Sequence, residues 1–250
     1  MSVAVVRDGG APQPVWLKLA FPRDLSPEGV QGFLGSLTGL LLPWWRRPFV
    51  RSPHVLVETI ATSKGIFHFL SVDESSASVV ENALQAAVPG VRYERVDPPT
   101  YKVTAAAEYR LSTSNRALRS DATLTASGQL ASLQPLEKGE LVVVSWTLAP
   151  ASPQPVPQVP EGNRSGNWWW PSSGPSTSEE VGSLKQKQAA PLLVGTARIG
   201  VRASNVGRAR SLLRRTEAAW HLTRRSGVHL RRRLLPEAWV ASRVNGRVVP

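Results

Sequence analysis

The stretch over residues 54–72 constrains the fold most. Two β-rich runs, 54–61 and 65–72, are separated by Thr62-Ser63-Lys64, a link of hairpin length. A hairpin flanked by helical patterns leaves few architectures open. On its N-terminal side, 15–21 reads as a strand closed by Pro22. Ser26 then offers an N-cap with Pro27 at the first helical position, and Val30, Phe33, Leu34, Leu37, Leu40 and Leu41 form an apolar stripe. Gly29, Gly32, Gly35 and Gly39 each cost about 1 kcal/mol of helix propensity relative to Ala, so packing must hold this helix. On the C-terminal side a helix is expected over 75–88, with Val80, Leu84 and Ala87 on one side and Pro89-Gly90 as its stop. A strand over 91–96 follows. The order is β-α-β-β-α-β, the ferredoxin-like unit, with both helices on one face of a four-stranded antiparallel sheet.

Asp97-Pro98-Pro99 marks a boundary, after which the order restarts. A strand is expected over 101–111, then a weaker helix carrying Leu124, Leu130 and Leu133 ahead of Pro135. A strand over 141–148 has Val142, Val144 and Trp146 on one face, and its hairpin partner is expected over 191–203. A helix from Ser204 and a closing strand over 228–235 complete the set. The expected fold class is therefore α+β, two tandem ferredoxin-like units whose antiparallel sheets carry their helices on one face. The units span 15–97 and 101–236, after a flexible leader over 1–14, and 237–250 is read as a tail or linker. Residues 151–190, rich in Pro, Ser, Gly and Gln, are expected to be a disordered insertion in the second unit. Within it stand Trp168, Trp169 and Trp170, read either as a partner-binding anchor or as a lid folded over the same domain.

The helix after Ser204 is rich in arginine. Val206, Ala209, Leu213, Thr216 and Trp220 form its core stripe, with arginines on the flanks and the opposite side. From residue 198 to the end there are thirteen arginines and no lysine against Glu217 and Glu237, so +11 of the formal net charge of +12 lies in the last fifth of the chain. Charge so segregated creates a local field that attracts polyanions, and the planar guanidinium grips phosphate bidentately. The candidate nucleic-acid contacts are Arg208, Arg210, Arg214, Arg215, Arg224, Arg225, Arg231, Arg232 and Arg233. A solvated basic face with no ligand is the competing reading.

Catalytic patterns are absent. No Gly-Lys pair occurs from which a phosphate loop could be built, and Gly162-Asn163-Arg164-Ser165-Gly166 misplaces the serine of a nucleophile elbow. His54, His68, His221 and His229 lack metal-ligand spacing, there is no cysteine, and Glu58 and Glu108 are expected to be solvated. Enzyme activity, cofactors and metals are therefore not expected. Lys64-Gly65-Ile66-Phe67-His68-Phe69 approaches an RNA-binding strand motif, but Ile66 occupies an aromatic position. Phe67 and Phe69 are expected to face the helices. The N-terminus lacks a signal-peptide pattern, and no apolar run reaches spanning length, so a cytoplasmic chain is expected, at the membrane only through partners.

Several stretches together resemble the N-terminal, non-motor region of actinobacterial TraG-like conjugative coupling proteins of the HerA/FtsK superfamily. The likeness runs through Leu56-Val57-Glu58, Gly65-Ile66-Phe67-His68-Phe69, Ala87-Val88-Pro89-Gly90, Gly139-Glu140-Leu141-Val142-Val143-Val144-Ser145-Trp146 and Arg208-Ala209-Arg210-Ser211-Leu212-Leu213. The resemblance implies a role in type IV secretion and plasmid DNA transfer. In this family an ATPase motor follows in sequence; here it would act in cis or in trans. The implied partners are the DNA backbone, secretion-channel or relaxase proteins, and further copies of the chain in a homo-oligomer. The alternative is a protein-interaction module that docks to such components without touching DNA. A third reading places Arg46, Arg47 and the tryptophans on anionic lipid.

Overall fold

The computed structural model describes residues 14–40, 53–113, 116–118, 121–151, 182, 184–185, 187 and 192–247. Among them, eight strands form one sheet: β1 (Pro14–Ala20), β2 (Val55–Thr62), β3 (Gly65–Asp73), β4 (Arg92–Val96), β5 (Ala105–Leu111), β6 (Leu141–Pro150), β7 (Leu193–Arg202) and β8 (Leu230–Arg232). Their spatial order is β4-β1-β3-β2-β6-β7-β5-β8, and every neighbouring pair is antiparallel. The helices are α1 (Pro27–Ser36), α2 (Glu74–Ala87), α3 (Ala122–Ser132), α4 (Val206–Trp220) and α5 (Glu237–Asn245). Ser26 caps α1, its hydroxyl accepting from the Gly29 amide at 3.0 Å, as its place before Pro27 predicts.

The sequence treats the two halves as tandem units with sheets of their own. In the structure β2 and β6 pair along eight residues each, with Val57 opposite Trp146, Thr59 opposite Val144 and Ala61 opposite Val142. Each of these strands would otherwise be an edge with unpaired amides and carbonyls, and pairing them satisfies both. One continuous sheet results.

Side-chain alternation assigns the two faces. Val55 and Ala61 lie six residues apart on β2 and therefore share a face. Val55 belongs to a core with Leu17, Leu70, Phe33 of α1, and Val80 and Leu84 of α2. Ala61 belongs to another with Tyr109, Ile199, and Ala209, Leu212 and Leu213 of α4. The first four helices thus line one side, α3 reaching the core through Leu133 and Leu136, which follow it. Fully buried leucines such as Leu17 and Leu70 each stabilise the fold by about 2 kcal/mol.

Several expectations are corrected. Residues 237–245 form α5, not a tail or linker, and bury Val240, Ala241 and Val244 on the opposite face against Ile60, Ala106 and Val143. Gly200 lies beneath this helix: a Cβ there would stand 2.9 Å from Val244 Cγ1 and 3.0 Å from Val103 Cγ1, so a bare backbone lets α5 settle. Phe67 and Phe69 point away from α1 and α2. Leu70 and Val72 take the helix face, while Phe69 packs with the α5 core and Phe67 is exposed. Of the three leucines that the sequence places on the weaker helix α3, Leu124 and Leu130 are exposed and Leu133 alone is buried. The closing strand shrinks to the three residues of β8. Of the insertion, Ala151 and residues 182, 184, 185 and 187 are described; the latter four are helical and Leu184 is buried, against the expectation of disorder at that end. Trp168, Trp169, Trp170, Arg46 and Arg47 lie outside the described residues, as does the rest of the insertion.

Candidate nucleic-acid interface

Helix α4 starts at Asn205, whose side chain accepts from the Arg208 amide at 2.8 Å, and ends in a short turn of 3-10 helix, His221–Thr223. Its buried stripe is Ala209, Leu212, Leu213, Thr216, Ala219 and Trp220. Val206, expected in that stripe, is exposed, because it lies in the first turn beyond the edge of the core. Tyr109 and Trp146 pack on Trp220 with ring centroids 4.8 Å and 5.5 Å away.

The nine arginines singled out by sequence divide into four engaged within the chain, Arg214 on its own helix, and four past the helix. Four are engaged within the chain through polar groups distant in sequence. Arg208 donates through Nε and Nη2 to the two carboxylate oxygens of Glu140, at 2.7 and 3.0 Å, and these bonds hold the Glu140 carboxyl below the usual range. Arg210 reaches Glu237 at 3.1 Å. Arg215 donates to the carbonyls of Ser132, the last residue of α3, and of Pro135 beyond it. Arg233 donates to Glu108 at 2.6 Å. Arg214 is exposed and bonds the Arg210 carbonyl of its own helix.

The remaining four lie past the helix. Arg224 and Arg225 are exposed at the turn closed by the Arg225–Val228 bridge, and Arg231 and Arg232 are exposed on β8, the sheet's edge strand. Their guanidinium groups form no salt bridge among the described residues. Arg110 of β5, not among the sequence candidates, stands opposite Arg231 in the strand register and is half-exposed. Four of the nine arginines, with Arg110, therefore stand at an edge of the sheet, while Arg214 stays exposed on the helix.

Sequence reasoning also misplaced the acids. Glu58 and Glu108, expected to be solvated, are both buried to 1% exposure, because α5 and the segment around Tyr101 cover that sheet face. Glu108 receives Arg198 Nε at 2.9 Å and Arg233 Nη1 at 2.6 Å, with Arg110 at 4.0 Å. Burial raises its pKa, but the bonds from Arg233 and Arg198 outweigh this and leave it below the usual range. Glu58 accepts from the Tyr101 hydroxyl at 2.6 Å and has Arg247 Nε 3.8 Å away. There burial wins, and the carboxyl is held above its usual range despite both partners. Arg198, Glu108 and Arg110 carry a signal that strand parity could have found. Glu108 and Arg110, two apart on β5, share one face, and Arg198 follows the parity of the small residues Thr196 and Gly200 on β7.

Among the described residues no helix is long and apolar enough to cross a membrane. Comparisons with protein-family models, with curated proteins and with solved structures found no match to this chain.

Proposed function

We propose that the chain binds the phosphate backbone of nucleic acid, without sequence preference, through the basic sheet edge formed by Arg224, Arg225, Arg231 and Arg232 with Arg110. The carrying observation is the contrast within one arginine-rich segment: Arg208, Arg210, Arg215 and Arg233 are committed to internal partners, whereas these four are exposed without a salt bridge. Guanidinium groups on an edge strand and its adjoining turn can track a linear polyanion.

The architecture of this reading is two ferredoxin-like units fused edge to edge. The order 4-1-3-2 within each half, β4-β1-β3-β2 and β8-β5-β7-β6, supports it. The biological setting is that of the resemblance: an accessory, docking region of a conjugative coupling machinery, positioning DNA for an ATPase motor acting in cis or in trans. In this role the chain binds and does not catalyse.

The test is fluorescence anisotropy of the purified chain with a DNA of arbitrary sequence across a salt series. Binding should weaken log-linearly, with a slope near about −4 if the four arginines each neutralise one phosphate. Replacing Arg224, Arg225, Arg231 and Arg232 by glutamate should abolish binding while the thermal midpoint stays within a few degrees. Wild-type chain that fails to bind at about 50 mM salt refutes the reading and turns the edge over to acidic protein surfaces.

A further inference from the structure

On the sheet face that carries α5, one arginine is caged. Trp16 of β1 and Glu58 of β2 are buried on this face, since their neighbours Leu17 and Val57 pack in the helix-side core. Between the rings of Trp16 and Tyr101 sits the guanidinium of Arg247, its carbon 4.6 Å from the first centroid and 4.8 Å from the second, both within cation–π range. The carbonyl of Pro99 accepts from its Nη2. The Glu58 carboxylate completes the site. Its Oε1 accepts from the Tyr101 hydroxyl at 2.6 Å, while its Oε2 is buried and lies 3.8 Å from Arg247 Nε. Among the described residues neither that oxygen nor that nitrogen has a hydrogen-bond partner.

Two observations bear on what such a site takes. Helices commonly end in a left-handed residue, which is usually glycine. After α5 this conformation falls on Arg247, at φ 49°, although Gly246 stands beside it. The cage therefore holds a guanidinium firmly enough to offset an unfavourable backbone. Yet the resident leaves the strongest bond on offer unmade, because its tether to α5 keeps Nε beyond hydrogen-bond reach of a buried carboxylate oxygen. A cation free of that tether can approach Oε2 and keep both rings. The Arg247 side chain is 20% exposed, so its withdrawal opens the cage to solvent. We propose that Trp16, Tyr101 and Glu58 form a recognition site for an arginine or lysine side chain of another polypeptide, and that Arg247 fills it in the free chain as an internal ligand that such a partner displaces. The site is independent of phosphate binding at the β8 edge.

The experiment compares the full wild-type chain with Arg247→Gly, a substitution that suits the left-handed backbone and empties the cage. The probe is the peptide acetyl-Gly-Arg-Gly-amide at millimolar concentration, followed by the indole N–H resonance of Trp16, which Trp16→Phe assigns. Arg247→Gly should bind the peptide saturably, and about tenfold more tightly than the wild type, in which the tethered arginine competes. The lysine peptide should bind as well, and its trimethyllysine counterpart, which has no N–H for Oε2, should bind less tightly. Adding Glu58→Gln to Arg247→Gly should remove most of the affinity. In the wild type, where no substitution is needed, saturating peptide should speed amide hydrogen exchange at residues 245–247 as Arg247 is released; this measurement decides the matter if Arg247→Gly does not fold. A peptide that moves neither the Trp16 resonance of Arg247→Gly nor the exchange of the wild type overturns the proposal. Wild-type chain that binds as tightly as Arg247→Gly overturns it too, because Arg247 would then not compete for the cage.

Discussion

Arg198 of β7 and Glu108 of β5 are 90 residues apart in sequence and meet on adjacent strands beside the β8 edge of the sheet, Nε to Oε2 at 2.9 Å, with exposures of 4% and 1%. Cross-strand register makes them direct neighbours, and Arg233 closes on the second carboxylate oxygen. A buried carboxylate held by two guanidiniums is costly to form and more costly to break.

Replacing Glu108 by alanine should therefore destabilise the chain by about 3–5 kcal/mol, because Arg198 would be left charged and buried without its partner. Arg198→Met should cost less, since Arg233 still satisfies Glu108. The double variant Glu108→Leu with Arg198→Met should recover much of the loss. Urea unfolding reads all three. The depressed Glu108 pKa adds a pH signature: its contribution is present above the ordinary value of 4.5 and is lost as pH falls through the lower folded-state value. Equal loss in the single and double variants would show that the pair is not the unit of stability.

Glu58 should behave in the opposite sense. Its folded-state pKa lies above the ordinary 4.5, so the native chain holds a proton that the unfolded chain has released. Stability from this group is full below 4.5 and falls as pH rises through the folded-state value. Glu58→Gln keeps an acceptor for Tyr101 and removes the charge. The variant should equal or exceed wild-type stability at pH about 8 and lose this part of the pH dependence. Denaturant midpoints from pH about 4 to about 8 test it; a variant clearly weaker at the alkaline end would mean that the ion pair with Arg247 outweighs burial.

Gly200→Ala should loosen α5. The new methyl would lie within 3.0 Å of Val244 Cγ1 and reach Val103 on its other side, and overpacking of this kind costs about 1–3 kcal/mol. Val244→Ala in the same chain removes the nearer contact and should return part of that loss. Amide hydrogen exchange along 237–247 locates the effect. Protection unchanged over that segment would contradict the role given to Gly200.

How much of this was legible follows from the range of each interaction. The hairpin, the Ser26 cap and the α4 stripe from Ala209 to Trp220 were read correctly because caps, turns and helical periodicity act over four or five residues. The placing of Phe67 and Phe69 went wrong because alternation says that they share a face but not which face the helices take. Leu124 and Leu130 misled for a related reason: an apolar residue in a helix is evidence of burial only when a partner surface exists beside it.

The arginines carry the same lesson to the candidate site. The sequence by itself determined that +11 of the net charge lies after residue 197, that an amphipathic helix sits there, and that two similar series of elements precede and contain it. Tertiary structure decided which guanidiniums remain available to a ligand. Glu140 lies 68 residues from Arg208, and Glu108 lies 125 from Arg233, so the acids that engage them arrive through strand pairing. The β2–β6 join and the return of α5 across the second face are likewise contacts between distant segments. Local propensity specifies each element, but only their pairing decides which edges are left open and which charges are left in water.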